Sequence, residues 1–333
     1  MMQPILSVRD LIVEVDTGSA VHRVLDGVSL DLYPGKTLGV VGESGCGKSM
    51  TALATMGLLP DRFRIAGGSI RLGDEELTTV KPNRLRQLRG NTISMIFQEP
   101  MTSLNPLLTV ERQIAEVVEL HQGKSATEAR EIALETLRAV QIPSPEERLA
   151  AYPHELSGGM RQRVMIAIAL ACRPKVIIAD EPTTALDVTV QAQIFGLLRD
   201  LQCNTDTAIM LITHDLGAVA DMADEVAVFY AGKSIETGPV ADILDHPAHP
   251  YTRGLMSCTP RLRLGAAARL PEAGTLGEIP GMVPPLGRFP KACRFAPRCP
   301  LADTRCTTEA PLPVAVGPNQ SALCWHAKEE VYV

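Results

Sequence analysis

Aromatic residues and long apolar runs are both scarce in this chain of 333 residues. Only 4% of the residues are Phe, Tyr or Trp, so the core has to be built mainly from aliphatic side chains. The longest uninterrupted apolar stretch, "VMIAIALAC" at 164–172, is half as long as the roughly 18 residues that a membrane-spanning helix needs. The first ten residues, "MMQPILSVRD", lack the basic and then apolar order of a signal peptide. We therefore expect a protein that stays in the cytoplasm with its thiols reduced.

An excess of positive charge is also lacking, because the formal net charge is −6. This balance argues against a nucleic-acid surface as the main partner. The 45% of hydrophobic residues suffices for a sizeable core, and the length exceeds one average domain. One large domain with an appendage is the expected organisation.

Alternating polarity and helical periodicity divide the chain into segments. Residues 5–35 alternate apolar and polar positions, which predicts short antiparallel strands. Residues 107–172 have helical spacing, and "KVIIADEP" and "AIMLITHD" are short apolar strands that end in acidic or histidine residues. Strands that alternate with helices predict a mostly parallel sheet. Proline and glycine are frequent at 271–290, which indicates a linker or a loop-rich appendage.

The stretch "GESGCGKS", Gly42 to Ser49, matches the phosphate-binding loop G-x-x-x-x-G-K-[ST]. Glycines allow several backbone N–H groups to face one anion, and the helix that follows adds the positive end of its dipole. Lys48 is expected to reach the β- and γ-phosphates of a nucleotide, and the Ser49 hydroxyl to ligate Mg²⁺. The predicted nucleotide contacts here are Gly42, Glu43, Ser44, Gly45, Cys46, Gly47, Lys48, Ser49 and Met50.

Two further motifs carry chemistry. "VIIADE" is a buried strand that brings Asp180 and Glu181 to its end, where Asp180 would hold Mg²⁺ and Glu181 would act on an attacking water. In "LSGGMRQR", residues 156–163, Ser157 stands at a helix N-cap position, and Gly158 and Gly159 leave N–H groups uncovered. This helix start predicts a second anion site.

Taken in order, the phosphate loop, Gln98, "LSGGMRQR", Asp180–Glu181, "ALD" at 185–187 and His214 resemble a complete ATP-binding cassette (ABC) nucleotide-binding domain. The resemblance covers roughly residues 5–258. It implies an α/β P-loop fold with a mostly parallel sheet core, an antiparallel β subdomain and a helical subdomain at about 99–172. We place this domain at 1–258 and a small, loop-rich, cysteine-containing C-terminal domain at 259–333.

The resemblance also implies roles for single residues. Two such domains form a head-to-tail sandwich, in which Ser157 and Gly159 of one face the γ-phosphate that the other holds. Gln98 would touch Mg²⁺ and water and sense the transmembrane partner, and Glu181 would be the general base of ATP hydrolysis. His214 would contact the γ-phosphate and hold the geometry of the water and Glu181, and Asp187 would lie at the dimer seam.

One departure from the ABC pattern concerns the adenine. The family usually stacks the base on an aromatic residue near the end of the first strands. The candidates in this region are Val15 and His22, with no Phe, Tyr or Trp between them. Base stacking is therefore expected to be weak or to be made by His22.

Two stretches resemble the oligopeptide/dipeptide permease subfamily of bacterial importers, namely "FQEPMTSLNPLLTV" (97–110) and "HPAHPYTRGL" (246–255). The resemblance implies a heterodimer with a second ATPase subunit, docked at the cytoplasmic face of the membrane on two permease subunits that an extracytoplasmic peptide-binding protein supplies. Importers of nickel, glutathione or antimicrobial peptides share much of this pattern. A soluble ABC ATPase acting on DNA or ribosomes is a further alternative, disfavoured by the single cassette and the negative charge. Another is an assembly ATPase that handles iron–sulfur clusters as cargo.

Four of the eight cysteines lie near the end of the chain, at Cys293, Cys299, Cys306 and Cys324. Four thiols in a proline-rich segment with little apolar sequence suggest that a metal holds this segment together. No pair has the close C-x₂₋₄-C spacing of common zinc sites, and wider spacing suits an iron–sulfur cluster. The residues leave a [4Fe-4S] cluster, Zn²⁺ and unligated reduced thiols open. Members of the resembling subfamily carry a [4Fe-4S] cluster in this tail, which favours the first.

Overall fold

The computed structural model describes residues 2–183, 186–258 and 278–328. The strands in these ranges are β1 (Leu6–Asp16), β2 (Val21–Leu32), β3 (Thr37–Val41), β4 (Phe63–Leu72), β5 (Glu75–Glu76), β6 (Ile93–Ile96), β7 (Val176–Asp180), β8 (Ala208–Ile212), β9 (Glu225–Tyr230), β10 (Lys233–Pro239), β11 (Val314–Ala315) and β12 (Ser321–Ala322). The α-helices are α1 (Lys48–Met56), α2 (Pro82–Leu88), α3 (Pro100–Ser103), α4 (Val110–Gln122), α5 (Ala126–Ala139), α6 (Pro145–Arg148), α7 (Gly158–Leu170), α8 (Val188–Thr205), α9 (Leu216–Met222), α10 (Val240–Asp245), α11 (Pro250–Ser257) and α12 (Thr304–Thr308). None of these helices is long and apolar enough to cross a bilayer.

The first strands form an antiparallel sheet in the order β2-β1-β4-β5. Leu6, Val8, Leu11 and Val13 of β1 are fully buried, and most of the residues between them are more exposed. One face of the sheet therefore packs on the core while the other meets solvent, as alternation with period two requires. The prediction of antiparallel strands at 5–35 is confirmed.

The main sheet has the order β11-β12-β10-β9-β3-β8-β7-β6. β3 is parallel to both β8 and β9, and β7 is parallel to β6 and β8. Every residue of β3, β7 and β8 is buried, as expected for strands covered on both faces. Because these strands are parallel, the loops that follow them meet at one edge of the sheet. The predicted mostly parallel core is confirmed.

The middle of the chain is helical, as its periodicity predicts. Thr109 caps α4 by accepting a hydrogen bond from the Arg112 N–H, and Ser125 and Glu128 form a reciprocal capping box at the start of α5. These two helices pack on α7 through a shared apolar core whose fully buried members include Ile114, Leu137, Val140 and Val164. The bounds of 99–172 for a helical subdomain stay a prediction.

The C-terminal segment joins the main sheet. β12 pairs with β10 at Glu236↔Ala322 and Thr237↔Ser321, and β11 pairs with β12. The buried Glu236 carboxylate accepts hydrogen bonds from the backbone N–H groups of Ala248 and His249 and from Gln320 Nε2. Residues 278–328, which we call the appendage, are thus tied to the cassette by backbone and side chain. The predicted domain boundary between residues 258 and 259 adjoins 259–277, which lie outside the described residues.

Candidate nucleotide site

The phosphate loop lies between β3 and α1, where its sequence predicts it. Gly42 has φ 149°, and a β-carbon there would lie 2.3 Å from the Phe229 carbonyl oxygen, so no larger residue fits. Gly47 provides no side-chain cap for α1, and Gly45 and Ser44 are exposed. The start of α1 is therefore free of a competing cap, as an anion-binding helix terminus requires.

Lys48 is buried within the phosphate loop. Its Nζ donates hydrogen bonds to the carbonyl oxygens of Gly42, at 2.7 Å, and of Glu43, at 3.2 Å. Met50, one helical position past Ser49, packs against the apolar core. Cys46 is 1% exposed, and burial raises the pKa of its thiol although Lys48 opposes the rise. Cys46 is thus a packed side chain of the loop, and its burial disfavours the thiolate form.

The end of β7 meets the start of α1. Ser49 Oγ donates a hydrogen bond to Asp180 Oδ1 at 3.0 Å. Burial raises the pKa of Asp180, which the Ser49 hydrogen bond opposes and the neighbouring Glu181 carboxylate increases. A hydroxyl and a buried carboxylate in contact, beside a phosphate loop, are a ligand set that suits Mg²⁺, whose charge would stabilise the ionised carboxylate.

Glu181 turns away from Asp180 and meets two residues from other segments. Gln98 Nε2 donates a hydrogen bond to Glu181 Oε2 at 3.0 Å, and His214 Nδ1 lies 3.4 Å from Glu181 Oε1. Glu181 has φ 47°, an unfavourable left-handed conformation for a side chain of this type. Backbone strain of this kind persists only where surrounding contacts hold the residue in place, and it is concentrated at functional sites. The three residues predicted to surround an attacking water are thus brought together.

"LSGGMRQR" begins α7 as predicted. Ser157 is the N-cap, and its hydroxyl accepts a hydrogen bond from the Met160 N–H at 3.3 Å. Gly158 is exposed, and a β-carbon there would meet open space. Gln162, one turn into α7, donates a hydrogen bond to the Pro182 carbonyl oxygen, next to Glu181. The helix start is exposed, and Gln162 joins the first turn of α7 to the segment that follows β7.

Asp187 caps α8 by accepting a hydrogen bond from the Val190 N–H at 2.9 Å. The next residue, Val188, is 82% exposed. Ala185 of "ALD" lies outside the described residues, so the motif is placed only at 186–187. The dimer seam predicted for Asp187 stays a prediction, since the structure holds one chain.

Of the two candidates for the adenine, His22 is the accessible one. Val15 and His22 are paired across β1 and β2, but Val15 is buried in the antiparallel sheet. A β-carbon on Gly287, in the appendage, would lie 2.8, 3.0 and 3.2 Å from Cε1, Nδ1 and Nε2 of His22. Nearly equal distances to three ring atoms place that turn over a face of the imidazole, because an approach within the ring plane would leave both nitrogens clearly farther than Cε1.

Two contacts to the phosphate loop are absent from the sequence-based predictions. Tyr251 Oη accepts a hydrogen bond from the Glu43 N–H at 2.9 Å, and Arg298 Nη1 donates to both Glu43 carboxylate oxygens at 3.0 and 3.1 Å. Tyr251 belongs to the stretch "HPAHPYTRGL" (246–255), whose pattern resembles the permease subfamily but does not itself indicate a contact with residue 43. Arg298 stands directly before Cys299, where nothing in the local pattern indicates a contact with residue 43.

The four C-terminal cysteines lie near one another. Burial raises the pKa of Cys324 to about 12, and the charges of Cys293, Cys299 and Cys306 add to the rise. The Cys293 N–H also donates a hydrogen bond to the Cys306 carbonyl oxygen at 3.1 Å.

A second ligand set overlaps this group of thiols. Ligand atoms of Asp303, Cys306 and His326 lie within 4.8 Å of one another. Aspartate and histidine therefore also adjoin the thiols as candidates to hold a metal.

Comparison with known proteins gives two family matches. Residues 25–184 match the ABC transporter family, and residues 235–306 match the C-terminal region of oligopeptide/dipeptide transporters. A probable peptide ABC transporter ATP-binding protein of Sinorhizobium fredii is 50% identical over 328 residues, which cover 98% of this chain and 96% of the relative.

The oligopeptide transport ATP-binding protein of Salmonella typhimurium is 49% identical over 98% of this chain and 95% of its own. The dipeptide transport ATP-binding protein of Bacillus subtilis is 47% identical over 97% of this chain and 95% of its own. Among solved structures, a dimeric ATP-binding cassette in a post-hydrolysis state with ADP and Pi is 26% identical, with a TM-score of 0.65, over 71% of this chain and 98% of that one.

Proposed function

The chain belongs to the ABC transporter ATP-binding proteins of the oligopeptide/dipeptide type, and on that premise we propose that it hydrolyses ATP to drive import of dipeptides or oligopeptides. The observation that carries the proposal is the match to peptide-transport relatives along nearly the whole chain, appendage included. The relatives' names favour peptides over nickel, glutathione and the non-transport alternatives.

The geometry supports a division of labour around MgATP. Lys48 and the N–H groups at the start of α1 would hold the phosphates, and Ser49 and Asp180 would hold Mg²⁺. Bound Mg²⁺ supplies charge neutralisation at the phosphates. Glu181 would accept a proton from the attacking water, while Gln98 and His214 orient its carboxylate. The balanced reaction is ATP plus water to ADP plus phosphate.

The same proposal includes the assembly. A second ATPase subunit would place its phosphate loop against Ser157 and Gly159 of this chain, with Asp187 and the exposed Val188 at the seam. The ATPase pair would dock on two membrane permeases, and this chain would contact its permease through the segment that follows Gln98, in which Leu107 is 82% exposed and offers an apolar contact. The chain would act at the cytoplasmic face of the membrane, in a system that an extracytoplasmic peptide-binding protein supplies.

Uptake by cells tests the substrate. Cells that lack the native gene are given the wild-type protein or Glu181→Gln, and entry of labelled dipeptides, longer peptides and Ni²⁺ is followed. We expect peptide uptake with the wild-type protein only. Uptake of Ni²⁺ alone would contradict the peptide assignment, and uptake of nothing, with ATP hydrolysis intact, would contradict transport by these substrates.

We further propose that Cys293, Cys299, Cys306 and Cys324 hold a [4Fe-4S] cluster. Their thiols interact electrostatically, yet no three of their sulfur atoms lie within 4.8 Å of one another. A single zinc ion with bonds of about 2.3 Å needs its sulfurs less than about 4 Å apart, whereas the bulk of a cluster separates them. Zinc held by Asp303, Cys306 and His326 is the second candidate, favoured by the close approach of those three.

Metal analysis separates the two. The chain is purified without oxygen, its visible spectrum is recorded, and iron, sulfide and zinc are quantified. We expect a broad band near about 400 nm and about four irons, both lost in Cys299→Ser, because four thiolates are the ligands of such a cluster. One zinc per chain without colour, retained in Cys299→Ser, would point to the Asp303 set instead.

A further inference from the structure

The segment "CRFAPRC", 293–299, carries an arginine next to each of two cysteines. Arg294 follows Cys293, and Arg298 precedes Cys299. The side chains of both arginines extend from the appendage and form ion pairs with residues in the first fifty positions of the chain. The Arg298 pair involves the phosphate loop, whereas the Arg294 pair involves β2.

Arg298 holds the phosphate loop itself. Its side chain is 5% exposed, and its Nη1 donates to both oxygens of Glu43. Its other two nitrogens also donate hydrogen bonds, Nη2 to the Ile279 carbonyl oxygen at 3.1 Å and Nε to the Pro280 carbonyl oxygen at 2.8 Å. A planar guanidinium that is fixed on three sides has little freedom, so it fixes the carboxylate that it contacts.

Glu43 is fixed at each of its polar groups by a different part of the chain. Its carboxylate is held by Arg298, its N–H donates to Tyr251 Oη, and its carbonyl oxygen accepts from Lys48 Nζ. Lys48 is the residue assigned to the β- and γ-phosphates. The orientation of the appendage is thus linked to the position of the phosphate-binding lysine through a single residue.

Arg294 forms the matched pair outside the loop. Its side chain is 10% exposed and its Nη2 lies 2.6 Å from Asp26 Oδ2, on β2. Lys233 and Arg23 also pair with Asp26. Arg294 Nη1 also donates to the Ala231 carbonyl oxygen, and the next residue, Gly232, donates its N–H to the Cys46 carbonyl oxygen of the loop. Arg294 itself makes no hydrogen bond to Glu43 or Lys48 among the described residues, so it attaches the appendage to the cassette without holding either of them.

We propose that Arg298 is a positioning residue for nucleotide binding, which fixes Glu43 and so pre-forms the phosphate loop, and that it transmits order at the adjoining Cys299 to that loop. The inference rests on the proposed function, since it assigns the loop to ATP. A loop that is already in its bound conformation binds more tightly, because less ordering is left for the nucleotide to drive.

Nucleotide affinity of the full chain tests the positioning role. MgATP dissociation constants are measured by titration for the wild type, Arg298→Met and Arg294→Met, with thermal unfolding and metal content recorded for each. We expect Arg298→Met to weaken MgATP binding about fivefold or more, within the usual range of coupling between sites, while Arg294→Met lowers stability and weakens MgATP binding less than Arg298→Met does. Equal affinity of wild type and Arg298→Met, or equal weakening by both arginine variants, would overturn the proposal.

Two double-mutant cycles test whether the effect on MgATP binding passes from Cys299 through Arg298 to Glu43. Glu43→Gln should weaken binding, and Arg298→Met should add nothing in that background, because both remove one interaction. Cys299→Ser should weaken binding in the native background and not further in Arg298→Met. Additive losses of MgATP affinity from Glu43→Gln and Arg298→Met would exclude action through their direct ion pair. A further loss of affinity when Cys299→Ser is added to Arg298→Met would exclude transmission through Arg298. A wild-type chain that does not bind MgATP would contradict the proposed function itself, whereas tight and equal binding by every variant would contradict only the positioning role.

Discussion

Single residues at the nucleotide site combine burial, charge and strain in a way that stability alone does not explain. Asp180 is buried with a raised pKa, and Glu181 beside it has a left-handed backbone. Two adjoining carboxylates repel each other unless a cation or a proton intervenes. The two side chains separate, one toward Ser49 and the other toward Gln98 and His214. Their different partners support their different proposed roles.

The Glu181→Gln substitution tests the proposed general base. The amide keeps the size of the side chain but does not accept a proton from water, so ATP turnover of the assembled complex should fall at least about tenfold while MgATP binding persists. Phosphate release and nucleotide titration measure the two quantities. Glu131→Gln, at an exposed position of α5, is the control and should hydrolyse ATP normally. Near-normal turnover of Glu181→Gln would show that another group is the base.

Among the elements, α11 shows how a short helix can serve a distant site. His249 caps α11, its Nδ1 accepting a hydrogen bond from the Tyr251 N–H at 3.0 Å. The cap fixes the first turn, from which Tyr251 Oη reaches the Glu43 N–H. The ring of Tyr251 packs against Tyr230 and Phe295, with centroids 4.7 and 5.5 Å apart. These few aromatic residues are concentrated where the appendage meets the phosphate loop.

Protonation of His249 should destabilise the fold. Complete burial lowers the pKa of His249 from 6.5 to about 3, with Arg253 adding to the effect. The unfolded chain binds this proton below about pH 6.5 and the folded chain does not, so stability is full above that pH and falls as the pH decreases toward 3. Titration of His249 changes the free energy of unfolding by at most about 1.4 kcal/mol per pH unit.

Chemical unfolding of wild type and His249→Asn checks this slope. Asn keeps an acceptor for the Tyr251 N–H but does not titrate, so the stability difference between the two proteins should change between about pH 7.5 and pH 5.5. A difference that is constant over that range would mean that His249 does not supply the dependence.

For the whole molecule, buried polar groups join the appendage to the cassette beside an apolar cluster in which Phe295 packs with Tyr230 and Tyr251. Glu236 accepts three hydrogen bonds that join β10, the start of α11 and Gln320. Arg294 and Arg298 add the two ion pairs to the cassette. Buried polar groups of this kind tolerate little displacement, since each donor left without a partner is costly.

Removing the Glu236 carboxylate should therefore destabilise the folded protein. Glu236→Ala leaves two buried N–H groups without an acceptor, so we expect a loss of about 3 kcal/mol in the free energy of unfolding. Denaturant titration measures it, and Asp245→Ala, an exposed carboxylate at the end of α10, is the control. A loss no larger than that of the control would show that water replaces the carboxylate.

The sequence by itself determined the local chemistry. The phosphate loop, the strand that ends at Asp180, and the cap at Ser157 each depend on a few consecutive residues whose backbone preferences are local. Their order predicted the cassette and its parallel sheet. Alternating polarity predicted β1 and β2, and short apolar runs predicted β7 and β8. In contrast, β11 and β12 have two residues each, which is too short for a periodic signal, and they form by pairing of β12 with β10 and of β11 with β12.

Only the tertiary structure decided which distant residues meet. Arg298 and Glu43 are 255 positions apart, and Arg294 and Asp26 are 268 apart. No periodicity marks such a pair, because its partners are chosen by the packing of whole elements and by the closure of the chain between them. The contact of the appendage with His22, the approach of the four cysteines and the fixing of Glu43 all depend on this packing. The sequence specified the groups that act on a nucleotide, and the fold specified that residues from the far end of the chain hold them in place.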